Sequence, residues 1–450
     1  MKILIYSTNS NFFNEENYNI TSIPTCFSEW TNLANKFPEH EYIIATQLPG
    51  MFVMDTKKND FPQKTEKIRF EIIKHDDEEE IANYLKSFEP DIAFAASFYE
   101  KPYDWLTIKD ALVAQYLRKL NIKTICHPID TAVNCFDKWR TNSLLKQIGI
   151  NHAKAVYVHH NLFINAGNRK EIKSNIYQKS VLAQLKELNF PVIIKDTVGL
   201  SSYGMEVVKN FEEAKNYLYS KKNTSDRIIE EFIDGLQFGT EIHGTNNNYE
   251  IFDPFLFSVN KYGITSPKQS VKIGPVTNEK YKIKELKTIL HKLATTLNLQ
   301  GITQVDLVFS NNKWYILEIN PRISGMSTTY SVASNKTLYE MFYDIIQREI
   351  NCKKESNTQN KLNFTLNIKF PILNKEELKK MSSLPFVKYI YQIENLNASQ
   401  KREIGYCEII ISTNKDLITL ENQIDTLKEI FPNVMENIFF ENAKKLIKFL

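Results

Sequence analysis

The sequence is poor in glycine, with 13 in 450 residues, and none stands in the turn after its first apolar run. Ile3–Tyr6 leads into Ser7-Thr8-Asn9-Ser10 in place of a G-x-G-x-x-G turn. That removes the support for a dinucleotide site, and with it a nicotinamide-dependent dehydrogenase. Cysteine is scarce and scattered. Cys26, Cys126, Cys135, Cys352 and Cys407 include no C-x-x-C pair, which excludes a disulfide framework and a zinc ribbon and suits a reduced, cytoplasmic setting. The one adjacent histidine pair, His159-His160, has no further ligand cluster near it in the sequence and reads as surface loop. No apolar run approaches the ~18 residues needed to cross a bilayer. MKILIY reads as a first strand, without the long apolar stretch of a secretory leader. A net charge of +3 gives no electrostatic case for binding nucleic acid or a membrane surface.

What remains is the composition of an ordinary globular protein, 42% hydrophobic and 24% charged, long enough for two to four domains. Residues 1–125 alternate short apolar runs (Ile3–Tyr6, Tyr42–Ala45, Ile92–Ala95, Thr124–Cys126) with helical stretches. That order predicts a parallel sheet with crossover helices, a Rossmann-like domain. The acidic run Asp76–Glu80 reads as a solvated helix start, where negative charge suits the helix dipole. The polar stretch 161–180 reads as a mobile loop, and a second α/β block runs from about 181 to 350. KKESNTQNKLN, residues 353–363, is the best linker in the chain. Beyond it, strands at 364–372 and 406–412 and a helix at 417–431 predict a small α+β subdomain over 351–450.

The densest chemistry lies in TQVDLVFSNNKWYILEINPRISG, residues 303–325. Two strand-like runs flank Ser310-Asn311-Asn312. Because side chains alternate faces along a strand, a turn that sets Ser310 against Trp314 brings Asp306 opposite Glu318. One face then carries Val305, Leu307, Phe309, Tyr315, Leu317 and Ile319. The other carries Gln304, Asp306, Val308, Trp314, Ile316, Glu318 and Asn320. A two-residue turn would throw the acids onto opposite faces, so the reading requires an odd-length, three-residue turn. Two facing carboxylates and an amide suit a hard cation such as Mg²⁺. The alternative for the segment alone is an ordinary half-buried hairpin with solvated surface acids.

Three upstream segments are weak singly. Asp137-Lys138 opens a helix, and Lys138 by itself is an ordinary surface lysine. FPVIIKD, residues 190–196, is a strand ending near Lys195; Gly199-Leu200-Ser201-Ser202-Tyr203-Gly204 then leads to a second strand, a flap whose backbone N–H groups can cover phosphates. RIIEEFID, residues 227–234, is an edge strand or a hinge on which a purine can hydrogen-bond.

Together, DKW, PVIIKD–GLSSYG, EEFI and DLVF–EINPRISG resemble the ATP-grasp superfamily, and within it the carboxylate–amine ligases that join amino acids. The resemblance covers about 126–350 well and 1–125 more loosely. GYCEIIIS and the helix after it are similar to the C-terminal subdomain of bacterial L-amino acid ligases. The fold implied is two α+β subdomains clamping ATP, with a Rossmann-like domain before them and the small subdomain after. The resemblance implies that Lys138 and Lys195 contact the phosphates of ATP, with Ser201, Ser202 and Gly204 in the closing flap. Glu230, Glu231 and Ile233 would hold adenine, partly through backbone atoms. Asp306, Glu318 and Asn320 would bind two Mg²⁺ ions, with Mn²⁺ able to substitute. Lys195 and Arg322 would be catalytic, Arg322 standing where an acyl phosphate forms. Gln237 falls where several relatives carry a ribose-binding Glu and, able to accept from a ribose hydroxyl, is counted with the nucleotide-binding residues; Glu241 lies four residues on, with a role at the nucleotide or metal left open. Lys272, in SVKIGP, is either a partner for a substrate carboxylate or a solvated loop lysine. The partners implied are small-molecule carboxylate and amine substrates, and a homodimer is compatible with the resemblance. The alternatives are a carboxylase-like or purine-pathway ATP-grasp ligase, or a non-catalytic ATP-binding regulatory protein.

Overall fold

A computed structural model describes residues 1–9, 18–48, 53–55, 65–98, 105–164, 174–199, 205–259, 270–351, 361–396, 405–432 and 437–450. The apolar runs of the N-terminal part form a five-stranded parallel sheet in the order Ile68–Ile72, Glu41–Thr46, Lys2–Ser7, Ile92–Ala95, Lys123–Ile125. Helices Cys26–Lys36, Glu78–Lys86 and Leu106–Lys119 pack beside it. Strands buried on both faces read as continuous apolar runs, and Ile3, Leu4, Ile5 and Tyr6 are all buried. The acidic run does start a helix. Asp77 caps it, its carboxylate accepting from the backbone N–H groups of Glu79 and Glu80.

A four-stranded antiparallel sheet follows, ordered Ala155–Val158, Arg227–Glu231, Val192–Asp196, Glu206–Val208. Helices Ile176–Lys186 and Phe211–Tyr219 close its core over Val181, Leu185, Ala214 and Leu218. The expectation of a mobile loop at 161–180 is corrected at both ends. His160–Ile164 is helical, anchored by the fully buried Phe163, and a helix begins at Ile176 with Asn175 as its cap. The apolar residues that fix these turns are spaced too thinly for periodicity to show; 165–173 lie outside the described residues.

The third sheet is the largest. Its path runs Lys313–Asn320, Gly301–Ser310, Leu236–Thr245, Phe255–Phe257, Ser270–Gly274, Phe364–Phe370, Gly405–Thr413, Val387–Asn395, Tyr18–Ile23. The C-terminal strands therefore extend the sheet that carries the acidic hairpin, and an N-terminal strand completes its edge. One face buries Phe238, Leu256, Val271, Ile273, Leu366, Ile368, Ile409 and Ile411 under helices Ile283–Thr296 and Leu417–Ile430. The opposite face is partly polar, and helix Gly325–Ala333 lies against its C-terminal strands.

Candidate functional site

The hairpin sets the site, by a route the sequence reading had wrong. Its turn has two residues, with Ser310 opposite Lys313 and both Asn311 (φ 49°) and Asn312 (φ 61°) in the left-handed region. Asparagine tolerates that conformation, and paired left-handed residues match the twist of a tight hairpin. Leu307 pairs with Ile316, yet Asp306 pairs with Glu318. Leu317 is the extra residue of a β-bulge, which resets the alternation so that the two acids still meet. The predicted faces are corrected accordingly: Trp314 and Ile316 join Leu307 and Val305 in the core, while Tyr315 and Leu317 are half-buried.

Gln304 donates to Asp306 Oδ1 at 2.8 Å. Burial, then the neighbouring Glu318, pushes the Asp306 carboxyl well above the usual range. Burial acts on Glu318 in the same direction, but Lys138, Lys195 and Arg322 outweigh it and hold that carboxyl low. One oxygen pair thus stays charged while its neighbour is strained toward the neutral form, a balance a bound cation would tip to two carboxylates. Among the described residues no group of three or more His, Cys, Asp and Glu side chains gathers to hold a metal. Two carboxylates and the Asn320 amide fit Mg²⁺ ions whose remaining ligands are phosphate oxygens and water.

Lys138 begins the helix Lys138–Gln147, capped by Asp137, whose side chain accepts from the N–H groups of Trp139 and Arg140. The Lys138 ammonium donates to the Gly199 carbonyl at 2.7 Å and stands 3.6 Å from Glu318 Oε1. The lysine, the root of the flap and the acidic hairpin, 180 residues apart in sequence, are therefore in contact. Lys195 projects from the four-stranded sheet and pairs with Glu230 Oε2 at 2.5 Å, both side chains about one-tenth exposed. Burial alone would lower the Lys195 ammonium pKa; Glu230, with Glu318 behind it, raises it instead. Glu231, next along the strand, turns to the opposite side and accepts from the backbone and side-chain nitrogens of Asn189. Only its backbone is left facing the Glu230 side. Ile233 is half-buried just past the strand's end. Gln237, opposite Val308, lies on the Asp306 face of the large sheet. Ser201, Ser202 and Gly204 lie outside the described residues.

Arg322 donates to Asn320 Oδ1 at 3.1 Å and to the Ile323 carbonyl at 3.3 Å. Its guanidinium is 5.9 Å from the centre of the Phe98 ring, just beyond the strand Ile92–Ala95, so the parallel sheet ends beside this arginine. A residue left unassigned from the sequence, Glu241, is fully buried behind the same loop. It accepts from Ser324 Oγ at 2.9 Å and Ser327 Oγ at 2.6 Å, and His243 Nε2 is 2.7 Å from its other oxygen. The signal available was an acid in an otherwise buried strand, with two serines just past Arg322.

Residues 135–326 match the family model described as an ATP-grasp domain. Among curated relatives, the C-terminal section of the carbamoyl phosphate synthase large chain of Aquifex aeolicus is 26% identical over 188 residues, 38% of this chain and 35% of that protein. The D-alanine--D-alanine ligase of Buchnera aphidicola subsp. Schizaphis graminum is 26% identical over 232 residues, 49% of this chain and 69% of that protein. This chain thus spans about a third of the former and two thirds of the latter. The solved L-amino acid ligase from Bacillus licheniformis superposes with a TM-score of 0.62 at 16% identity, covering 95% of this chain and 97% of that one. Structures of N5-carboxyaminoimidazole ribonucleotide synthetase and biotin carboxylase share the fold at 12–14% identity.

Proposed function

We propose that this chain, a member of the ATP-grasp superfamily, is an ADP-forming carboxylate–amine ligase acting on amino acid substrates. The observation that carries the reading is the convergence of Lys138, Lys195, Glu318 and Asp306 from one helix and two separate sheets, with Arg322 four residues beyond Glu318.

Joining a carboxylate to an amine in water is uphill, and a carboxylate is a poor electrophile. Mg-ATP, when bound, supplies the γ-phosphoryl group that turns the carboxylate into an acyl phosphate. The amine nitrogen then attacks the carbonyl carbon; the new C–N bond forms, the C–O bond to phosphate breaks, and the amine gives up a proton. Phosphoryl transfer depends on positioning and charge neutralisation. In this chain Asp306, Glu318 and Asn320 would hold the metal, and Lys138 and Lys195 would offset phosphate charge. Lys195 must then exchange its Glu230 partner for phosphate oxygens, which leaves Glu230 and the backbone of Glu231–Ile233 to face a purine. Arg322 would donate to the oxyanion that develops on amine attack.

The relatives include amine ligases and enzymes that carboxylate, and the test separates the two. The test is phosphate release from Mg-ATP with pooled L-amino acids, each omitted in turn. Release of ADP and phosphate that depends on the pool supports the ligase. Release that depends only on bicarbonate, or formation of AMP and pyrophosphate, would overturn it.

A further inference from the structure

One face of the large sheet runs without a break from the acidic hairpin to the C-terminal strands. Asp306 pairs with Gly239, Gly239 with Phe255, Phe257 with Lys272, Lys272 with Asn367, and Lys369 with Glu408. Alternation puts all of these side chains on the face opposite the apolar core. Between the hairpin acids and Lys272 this face has an apolar strip: the Phe257 ring lies directly over Gly239, where a Cβ would come within 2.2 Å of it. Beyond it the face turns charged. Glu408 is fixed by Lys369 at 3.2 Å and by the Asn367 amide at 2.5 Å, and Asn367 in turn donates to Thr329 of the overlying helix.

Lys272 is the charge on this face with no close partner of opposite sign among the described residues. Its ammonium sits 5.6 Å from the Phe257 ring centre and 3.7 Å from where a Cβ on Gly325 would be, at the first turn of helix Gly325–Ala333 and three residues past Arg322. Among the described residues no carboxylate lies within ion-pairing distance of it; Glu408, Asp306 and Glu241 attract it from further off, and Glu408 is already committed to Lys369 and Asn367. Burial pushes its pKa down to about 8, the mark of an ammonium whose solvation has been removed without full replacement. A buried ammonium with no carboxylate at pairing distance can still donate a charge-assisted hydrogen bond to an anion placed beside it.

We propose that this face is the pocket for the amine substrate, and that Lys272 holds a free carboxylate which that substrate carries beside its reacting nitrogen. The inference rests on the ligase reading above. Asp306 and Lys272 stand on backbones three strand spacings apart, roughly 14 Å, and the lysine's own reach shortens the gap to a size that suits a bound amino acid or short peptide. The Phe257 ring provides an apolar wall midway, so the substrate is an α-amino acid or a peptide with a free C-terminus and not a simple alkylamine. The C-terminal strands thereby contribute to substrate recognition through Lys369 and Glu408, which set the charge around Lys272.

The experiment compares wild type with Lys272→Gln and Lys272→Arg, holding at saturation the L-amino acid that the pool identifies as the carboxylate donor and varying, as the amine, free L-amino acids or their carboxamides. Phosphate release gives KM and kcat, and the melting shift in the presence of Mg-ADP gives binding without turnover. Wild type should prefer acids to carboxamides by at least tenfold in KM. Lys272→Gln should raise KM for acids tenfold or more, leave KM for carboxamides unchanged and keep its Mg-ADP shift; Lys272→Arg should recover most of the preference. Equal use of acids and carboxamides by wild type, or an undiminished preference in Lys272→Gln, would overturn the pocket while leaving the ligase standing. A melting shift specific to acids and lost in Lys272→Gln, with no phosphate release from wild type under any pool, would overturn the ligase and leave the pocket.

Discussion

Asp306 faces Glu318 across a two-residue turn because Leu317 is an additional residue in the second strand. In a regular ladder of that turn length Glu318 would pair with Val305 on the core side, a cost no buried carboxylate escapes. The bulge corrects the face and brings two like charges together instead.

That pairing has a pH signature. Asp306 is raised by burial and by Glu318, so between the ordinary carboxylate range and about 7 the folded chain holds more protons than the unfolded one. Stability without nucleotide therefore falls as pH rises through that window. Glu318, held low, titrates beneath it. Asp306→Asn should melt higher than wild type at pH 7.5, by roughly 2–4 °C, with the difference shrinking toward pH 4.5, and should lose Mg²⁺-dependent turnover. A difference in melting that is the same at both pH values would show that the two carboxylates do not oppose one another.

Lys195 and Glu230 compensate each other in a site that leaves each about one-tenth exposed. Breaking such a pair leaves an uncompensated charge and costs about 3–5 kcal/mol. Glu230→Gln should therefore be less stable than the double variant Lys195→Met/Glu230→Gln, although both lose nucleotide affinity. Denaturant unfolding of the two single variants and the double closes the cycle. Strictly additive losses would mean that the two side chains are not coupled.

The parallel sheet, the hairpin, the helix after Asp137 and the strand bearing Lys195 were legible because each depends on local pattern: apolar runs, period-two alternation, a capping aspartate. The bulge at Leu317 was not, because it depends on which faces the flanking layers bury, and the turn residues Asn311-Asn312 permit more than one loop length. Continuity between the C-terminal strands and the hairpin sheet was also hidden. The pairing of 364–370 with 270–274 is long-range, and the polar stretch before it looks like a boundary. The role of Glu241 stays open in the sequence for the same reason: its partners Ser324 and Ser327 lie more than 80 residues away.

Arg322 is tied to Asn320 and to the Ile323 carbonyl, and it ends beside Phe98. Replacing it with Ala should lower kcat by about 10²–10³, the loss of one oxyanion donor, with the Kd for Mg-ATP little changed. Lysine should recover only part of the rate, since a point charge cannot reproduce the planar two-donor geometry. Turnover near wild type in Arg322→Ala would remove it from the chemistry.

Glu241 gives this loop its position. It is wholly buried, and the donors it receives come from Ser324 and Ser327, which also cap helix Gly325–Ala333: Met326 N–H donates to Ser324 Oγ, and Ser324 N–H to Ser327 Oγ, each at 3.0 Å. Ser327→Ala removes one donor from the carboxylate and one acceptor from the cap, so it should cost about 1–3 kcal/mol of stability. Because Ser324 follows Arg322 by two residues, the same change should let the guanidinium drift, lowering kcat more than it raises KM. The distinguishing measurement is the pair of changes together. If the hydroxyl acts on catalysis through Arg322, Ser327→Ala should lower kcat in wild type but not further in Arg322→Ala, while its effect on unfolding persists in both backgrounds. Equal kcat losses in the two backgrounds would show that the Glu241 cluster stabilises the fold without positioning the arginine.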